Sequence, residues 1–192
     1  MNNPLIGVIV SSSCQGGRFG EVPAHWIYRM AEQRSDMRIE LIDLGGYPLP
    51  FFGASVLAAS CPDESPVGRC WAAALDRLDG FIVVASEEGP KRGAGAITDA
   101  GCVHADLAGK PVAFVGYGKP AGTCGVDPLR SMALALRMAP VTQAVHLGRR
   151  EVVGIWQQER PSRTFRIWIR RAPPCWTHWS RRHRRSRTRA MV

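Results

Sequence analysis

The sequence has no apolar run approaching the roughly 18 residues that a membrane-spanning helix needs. It also has no charged-then-apolar leader, since MNNPLIGVIVSSS passes from polar residues straight into a short strand-like stretch. The expectation is a soluble, cytoplasmic protein with no membrane partner. The six cysteines (Cys14, Cys61, Cys70, Cys102, Cys124 and Cys175) include no CxxC pair and join no histidine at metal-ligand spacing. Plain buried or surface thiols are expected in preference to a zinc site, and no disulfide framework is expected in that compartment. Neither a dinucleotide GxGxxG nor a GxxxxGK[ST] loop occurs. No serine, histidine or cysteine stands as a nucleophile: His25, His104 and His146 fall one per expected element and read as structural. Glu87 and Glu88 are neighbours in sequence, which gives no acid/base pair across a substrate. No catalytic side chain is therefore assigned.

No acidic residue follows Glu159, whereas 11 of the 25 Lys+Arg, all arginine, lie between Arg160 and the last residue. The remaining 14 face all 16 Asp+Glu, so the net charge of +9 belongs to a tail and the body is nearly neutral. At 192 residues and 45% hydrophobic content the body suits one domain with a sizeable core.

What is present is an alternation of short β-branched runs and helical periods. PLIGVIV, MRIELIDL, DGFIVVAS and KPVAFVGYG lack the period-2 alternation of half-exposed strands, as expected of strands buried on both faces of a parallel sheet. PVTQAVHLG supplies a fifth strand. Between them, EVPAHWIYRMAEQRSD and PVGRCWAAALDRL carry apolar residues at helical spacing. GAITDAGCVHADL reads as a short, weak helix, and DPLRSMALALRMA as a helix with Asp127 as cap and Pro128 in its first turn. The order βαβαβαβαβ predicts an α/β, doubly wound, five-stranded parallel sheet with helices on both faces.

Ligands of such sheets bind outside the carboxyl ends of the strands, where the winding reverses. Three glycine-rich loops would meet there: SSSCQGGRFG, SEEGPKRGAG and GYGKPAGTCG. The first places hydroxyls, flexible backbone and Arg18 before a helix N-terminus, a setting for a phosphate monoester. A plain N-capping connection is an equal alternative on spacing alone. Its place after the first buried strand favours the phosphate.

The stretches IGVIVSSSCQGGRFG, IELIDLGGYPLPFF, LDGFIVVASEE, GKPVAFVGYGKPAG and LRSMALALRMAPVTQAVHL, spanning Leu5 to about Leu147, resemble the NADPH-dependent FMN reductases. That family has a flavodoxin-like fold and includes azo-dye, quinone and chromate reductases. The resemblance implies FMN as cofactor, NADPH or NADH as reductant, a small-molecule electron acceptor and a homodimer or homotetramer. It places the cofactor-binding residues in the three loops: Ser11, Ser12, Ser13, Gln15, Gly17, Arg18 and Phe19 in the first; Glu87, Glu88, Gly89, Pro90 and Lys91 in the second; Tyr117, Gly118, Lys119 and Gly122 in the third.

The departures from the family are specific. Its first motif reads G-S-T-R-x-x-R; here Ser11 stands for the glycine and Cys14 for the first arginine, while Ser12, Ser13 and Arg18 keep the phosphate roles. Its T-P-E-Y-N motif keeps Glu87 but has Glu88 for the tyrosine and Gly89 for the asparagine. Lys119 replaces a glycine, in the loop that lies against the pyrimidine side of the flavin. Tyr47, Phe51 and Phe52 lie where relatives place a substrate-side loop, to pack over a ring, across a dimer interface or back on the core.

Two readings follow: an NAD(P)H-dependent FMN oxidoreductase, or a flavodoxin-like binding module with weakened flavin binding. The unit expected to bind flavin is 1–157. Residues 158–192, rich in arginine and tryptophan, read as an irregular tail and as out-of-frame GC-rich coding in place of a terminal helix. Nucleic acid is not an expected partner.

Overall fold

The computed structural model describes residues 3–10, 20–47, 66–86, 106–118 and 123–157. The elements run β1 (Leu5–Val10), α1 (Glu21–Glu32), β2 (Arg38–Asp43), a 3-10 turn (Leu44–Gly46), α2 (Pro66–Asp76), β3 (Gly80–Ser86), β4 (Pro111–Tyr117), α3 (Thr123–Ala135), β5 (Ala139–Pro140), β6 (Val145–Leu147) and α4 (Arg149–Trp156). Every strand pair is parallel, and the sheet order is β2-β1-β3-β4-β5, with β6 also on β4. The winding reverses between β1 and β3, as in the doubly wound flavodoxin-like order.

The missing alternation in the strands has its cause in two apolar layers. Ile6, Val8, Val10, Ile82, Val84, Ala113 and Val115 pack with Ala24 and Ile27 of α1 and Val152 of α4. Ile9, Phe81, Val83 and Phe114 face the other way, onto Trp71 and Leu75 of α2 and Val126, Leu129 and Ala133 of α3. Gly7 allows the close approach on that second face, because a Cβ there would stand 2.5 Å from Leu78 Cδ1.

Polar contacts pin the amino edge of the sheet. The Asp79 carboxylate accepts the Leu5 N–H at 2.8 Å, while the Asp79 N–H donates to the Leu5 carbonyl at 2.7 Å. Lys110, 5% exposed, donates from Nζ to the carbonyls of Leu75 and Asp76, each at 3.1 Å. Its charge thus meets the negative end of α2 and satisfies carbonyls that the helix leaves open.

Several sequence expectations change. α3 begins at Thr123, four residues before the expected cap, so Asp127 is not the cap and Pro128 lies inside the helix. Near a helix start a proline removes only one ladder bond, here the one that Cys124 would accept, and buried Val126, Leu129 and Ala133 hold the turns on either side. α1 stops at Glu32, and the following turn is held by a bidentate pair from Arg34 to Asp36 at 2.9 and 2.6 Å. The fifth strand is two pieces: between Val112↔Pro140 and Val115↔Val145, β4 advances three residues and the edge chain five. Two extra residues form a bulge, with Thr142 and Gln143 exposed. RREVVGIW forms a further helix, α4, with Val152 buried. GAITDAGCVHADL up to Ala105 and the tail from residue 158 lie outside the described residues.

Candidate site at the carboxyl edge of the sheet

The register brings the expected loops to one edge. Val10 ends β1 level with Val84, and β3 runs two residues further to Ser86, which is level with Tyr117. The segments after β1, β3 and β4 therefore leave from three neighbouring strands, beside the reversal of winding. That is where an open α/β sheet leaves a crevice for a ligand.

Tyr117 and Gly118 are the two expected site residues that lie among the described ones. Tyr117 is 6% exposed and its ring belongs to the core layer with Val145, Leu147 and Val152. What it offers a ligand is backbone, not a stacking ring. Gly118 has φ 124°, a conformation closed to most L side chains, and its N–H donates to the Leu147 carbonyl at 3.2 Å. The glycine turns the chain away from β4 while still tied to the edge strand. Ser11, Ser12, Ser13, Gln15, Gly17, Arg18, Phe19, Glu87, Glu88, Gly89, Pro90, Lys91, Lys119 and Gly122 lie outside the described residues.

At the other side of the edge, α1 starts behind Gly20, which makes no side-chain cap. Glu21 and Val22 supply the leading N–H groups, since Pro23 has none, and the Glu21 carboxylate lies in the same first turn. A helix start after β1 and a side-chain-free turn after β4, on neighbouring strands, fit a ligand with a phosphate at one end and a flat group at the other. FMN has that form.

Tyr47 does not stand over this edge as a free ring. It meets Trp71 edge-on, with centroids 4.9 Å apart and planes at 61°, and packs against the α2/α3 core layer. Phe51 and Phe52 lie outside the described residues. Asp43, at the carboxyl end of β2, accepts the Gly45 N–H at 2.8 Å and so caps the turn that leads to Tyr47. Of the histidines, His25 places Nδ1 2.9 Å from the Glu21 carbonyl, and His146 is exposed on β6.

Among the described residues, the groups with shifted acidity lie away from this edge. The hydrogen bond from Arg34, helped by its charge, holds the Asp36 carboxyl below the usual range, and the same contact raises Arg34. Arg77 is raised by its hydrogen bond to Glu40. Among the described residues no group of His, Cys, Asp and Glu could hold a metal ion, and no helix is long and apolar enough to cross a membrane.

The Leu147 carbonyl and the edge bulge were not foreseen in the sequence. The polar pair Thr142 and Gln143 inside PVTQAVHLG was the signal that the strand breaks.

Residues 4–88 match the family described as NADPH-dependent FMN reductase, which covers β1 through β3 and reaches Glu88. An NAD(P)H-dependent FMN reductase of Nectria sp is 24% identical over 137 residues, 68% of this chain and 68% of that protein. The crystal structure of an oxidoreductase from Corynebacterium diphtheriae overlays with a TM-score of 0.58 at 12% identity, covering 94% of this chain and 96% of that one. The last of these shows the fold; the first two are likenesses to FMN reductases, one of them confined to residues 4–88.

Proposed function

We propose that this protein is an NAD(P)H-dependent FMN oxidoreductase, passing electrons from NADPH or NADH to a quinone, an azo compound, a metal oxyanion or free flavin. Bound FMN supplies the redox chemistry, accepting a hydride and releasing electrons singly or in pairs. The observation that carries the reading is the family match across residues 4–88, which includes the first loop and the strand before the second.

The chain's own residues bind and orient. In this reading Ser12, Ser13 and Arg18 hold the phosphate beside the start of α1, whose N–H groups no side chain of Gly20 competes for. Gly118 lets backbone approach the flat ring system without a Cβ in the way. Lys119, next in the chain, supplies positive charge that favours an anionic reduced ring. Glu88 opposes it, and Lys91 with Arg92 offsets Glu88. The unit that does this is 1–157, working in the cytoplasm as a homodimer or homotetramer; residues 158–192 take no part in it.

A second reading, a flavodoxin-like binding module with weakened flavin affinity, has one structural argument in its favour. Tyr117 is buried in the core, so neither it nor the replaced second-loop tyrosine offers a ring to stack on the flavin.

The visible spectrum of the purified protein before and after desalting with added FMN separates the two. A flavin band that is retained and then bleached by NADPH without oxygen supports the oxidoreductase. No binding at micromolar FMN refutes it in favour of the module.

A further inference from the structure

The bulge in the edge chain creates a local deficit. Val141 donates its N–H to the Val112 carbonyl at 2.8 Å, but the ladder then lapses until Val145 meets Val115. Phe114 sits at the gap with no residue of the edge chain in register, and the Val141 carbonyl takes a hydrogen bond from a side chain. A buried-edge carbonyl without a partner is costly, so something must take its place.

Arg130 of α3 does so. Its NH1 donates to the Val141 carbonyl at 2.7 Å, and its guanidinium carbon lies 5.6 Å from the centre of the Phe114 ring. One planar cation thus bonds the bulged chain and lies over the Phe114 ring, which is buried in the core layer beneath α3. The insertion is an even number of residues, so Val145 and Leu147 return to the same face as Val115 and Tyr117. Leu147 then lies level with Tyr117, and its carbonyl receives the Gly118 N–H at 3.2 Å.

We propose that Arg130 is a positioning residue for the glycine turn after β4: by clamping Val141 it sets where β6 resumes, and through the Leu147 carbonyl it holds Gly118 at the mouth of the site. As far as it concerns a flavin, the inference rests on the reading given above; as far as it concerns Gly118, it stands on the contacts alone. Arg130 touches no ligand in this scheme. It acts from α3, which packs on the Phe114 face of the sheet.

The test compares the full chain with Arg130→Met, which keeps the side-chain length without donors, and Arg130→Lys, which keeps a donor and a charge. Amide hydrogen exchange by NMR is read at Gly118 and, as an internal reference, at Val84 in the centre of β3. Arg130→Met is expected to speed exchange at Gly118 about tenfold while Val84 stays within about threefold, and Arg130→Lys to recover part of the protection. The FMN dissociation constant, followed by quenching of flavin fluorescence, should rise about tenfold in Arg130→Met. Unchanged protection at Gly118, or a loss matched at Val84, overturns the inference. Should Arg130→Met fail to fold, Arg130→Lys decides: faster exchange at Gly118 with Val84 unchanged supports the clamp, and exchange at Gly118 equal to that of the unsubstituted chain, or a loss shared equally with Val84, overturns it. If the unsubstituted chain holds no FMN, the flavin reading falls while the exchange at Gly118 still decides the role of Arg130.

Discussion

The backbone N–H of Gly118 and the carbonyl of Leu147, 3.2 Å apart, join the end of β4 to the resumed edge strand. Because Gly118 holds φ 124°, this bond and the turn it starts depend on the absence of a Cβ. Gly118→Ala should add about 1–2 kcal/mol of backbone strain. Urea unfolding should show that loss, and titration with FMN should show weaker binding, by about tenfold.

The phosphate assignment separates FMN from riboflavin, which lacks the phosphate. Arg18→Gln and the double change Ser12→Ala with Ser13→Ala should each weaken FMN binding by about 1.5–3 kcal/mol, the range for hydrogen bonds to charged groups. Riboflavin affinity should be unchanged. An equal loss for both ligands in a fluorescence titration would move the phosphate away from the first loop.

Trp71 is 1% exposed, and its Nε1 finds no hydrogen-bond partner. Trp71→Ala should cost about 3–5 kcal/mol through the cavity it leaves. Trp71→Phe loses volume but also removes the unpaired donor, so it should cost less than about 1.5 kcal/mol. Urea unfolding followed by circular dichroism measures both; a Phe variant as unstable as the Ala variant would show that the indole N–H is satisfied.

Asp36 is held below its usual range by Arg34, so its contribution to stability is present above the unfolded carboxyl value of about 3.9 and is lost as the pH falls through the lower folded value. The carboxylate side chain is 41% exposed, and solvent screening keeps the effect under about 1 kcal/mol. Asp36→Asn should therefore be slightly less stable than the unsubstituted chain at pH 7 and indistinguishable from it near pH 2. Urea midpoints at the two pH values, with and without high salt, check the sign and the screening.

The buried strands were legible because each is apolar on both faces, and that pattern needs helices above and below a parallel sheet. The loops between them were legible as a group, since small and polar residues follow β1, β3 and β4 in turn. Helix limits were less so: Asp127-Pro128 reads as a start, yet Val126 one residue earlier is 1% exposed and draws the helix back to Thr123. Tyr117 shows the same limit at the site. Its neighbours match a flavin loop, but one residue of strand phase turns its ring into the core.

The sequence by itself determined the α/β class, the order of the strands along the chain and the three segments that can meet at a ligand. These follow from local patterns of burial and turn chemistry, which neighbouring residues carry. The order of strands in space, the bulge at 141–144, the placement of Arg130 over Phe114 and the bond from Gly118 to Leu147 were decided only in the tertiary structure. Each depends on partners far apart in the chain, whose meeting is set by packing and by the need to satisfy backbone groups, and no local pattern records it.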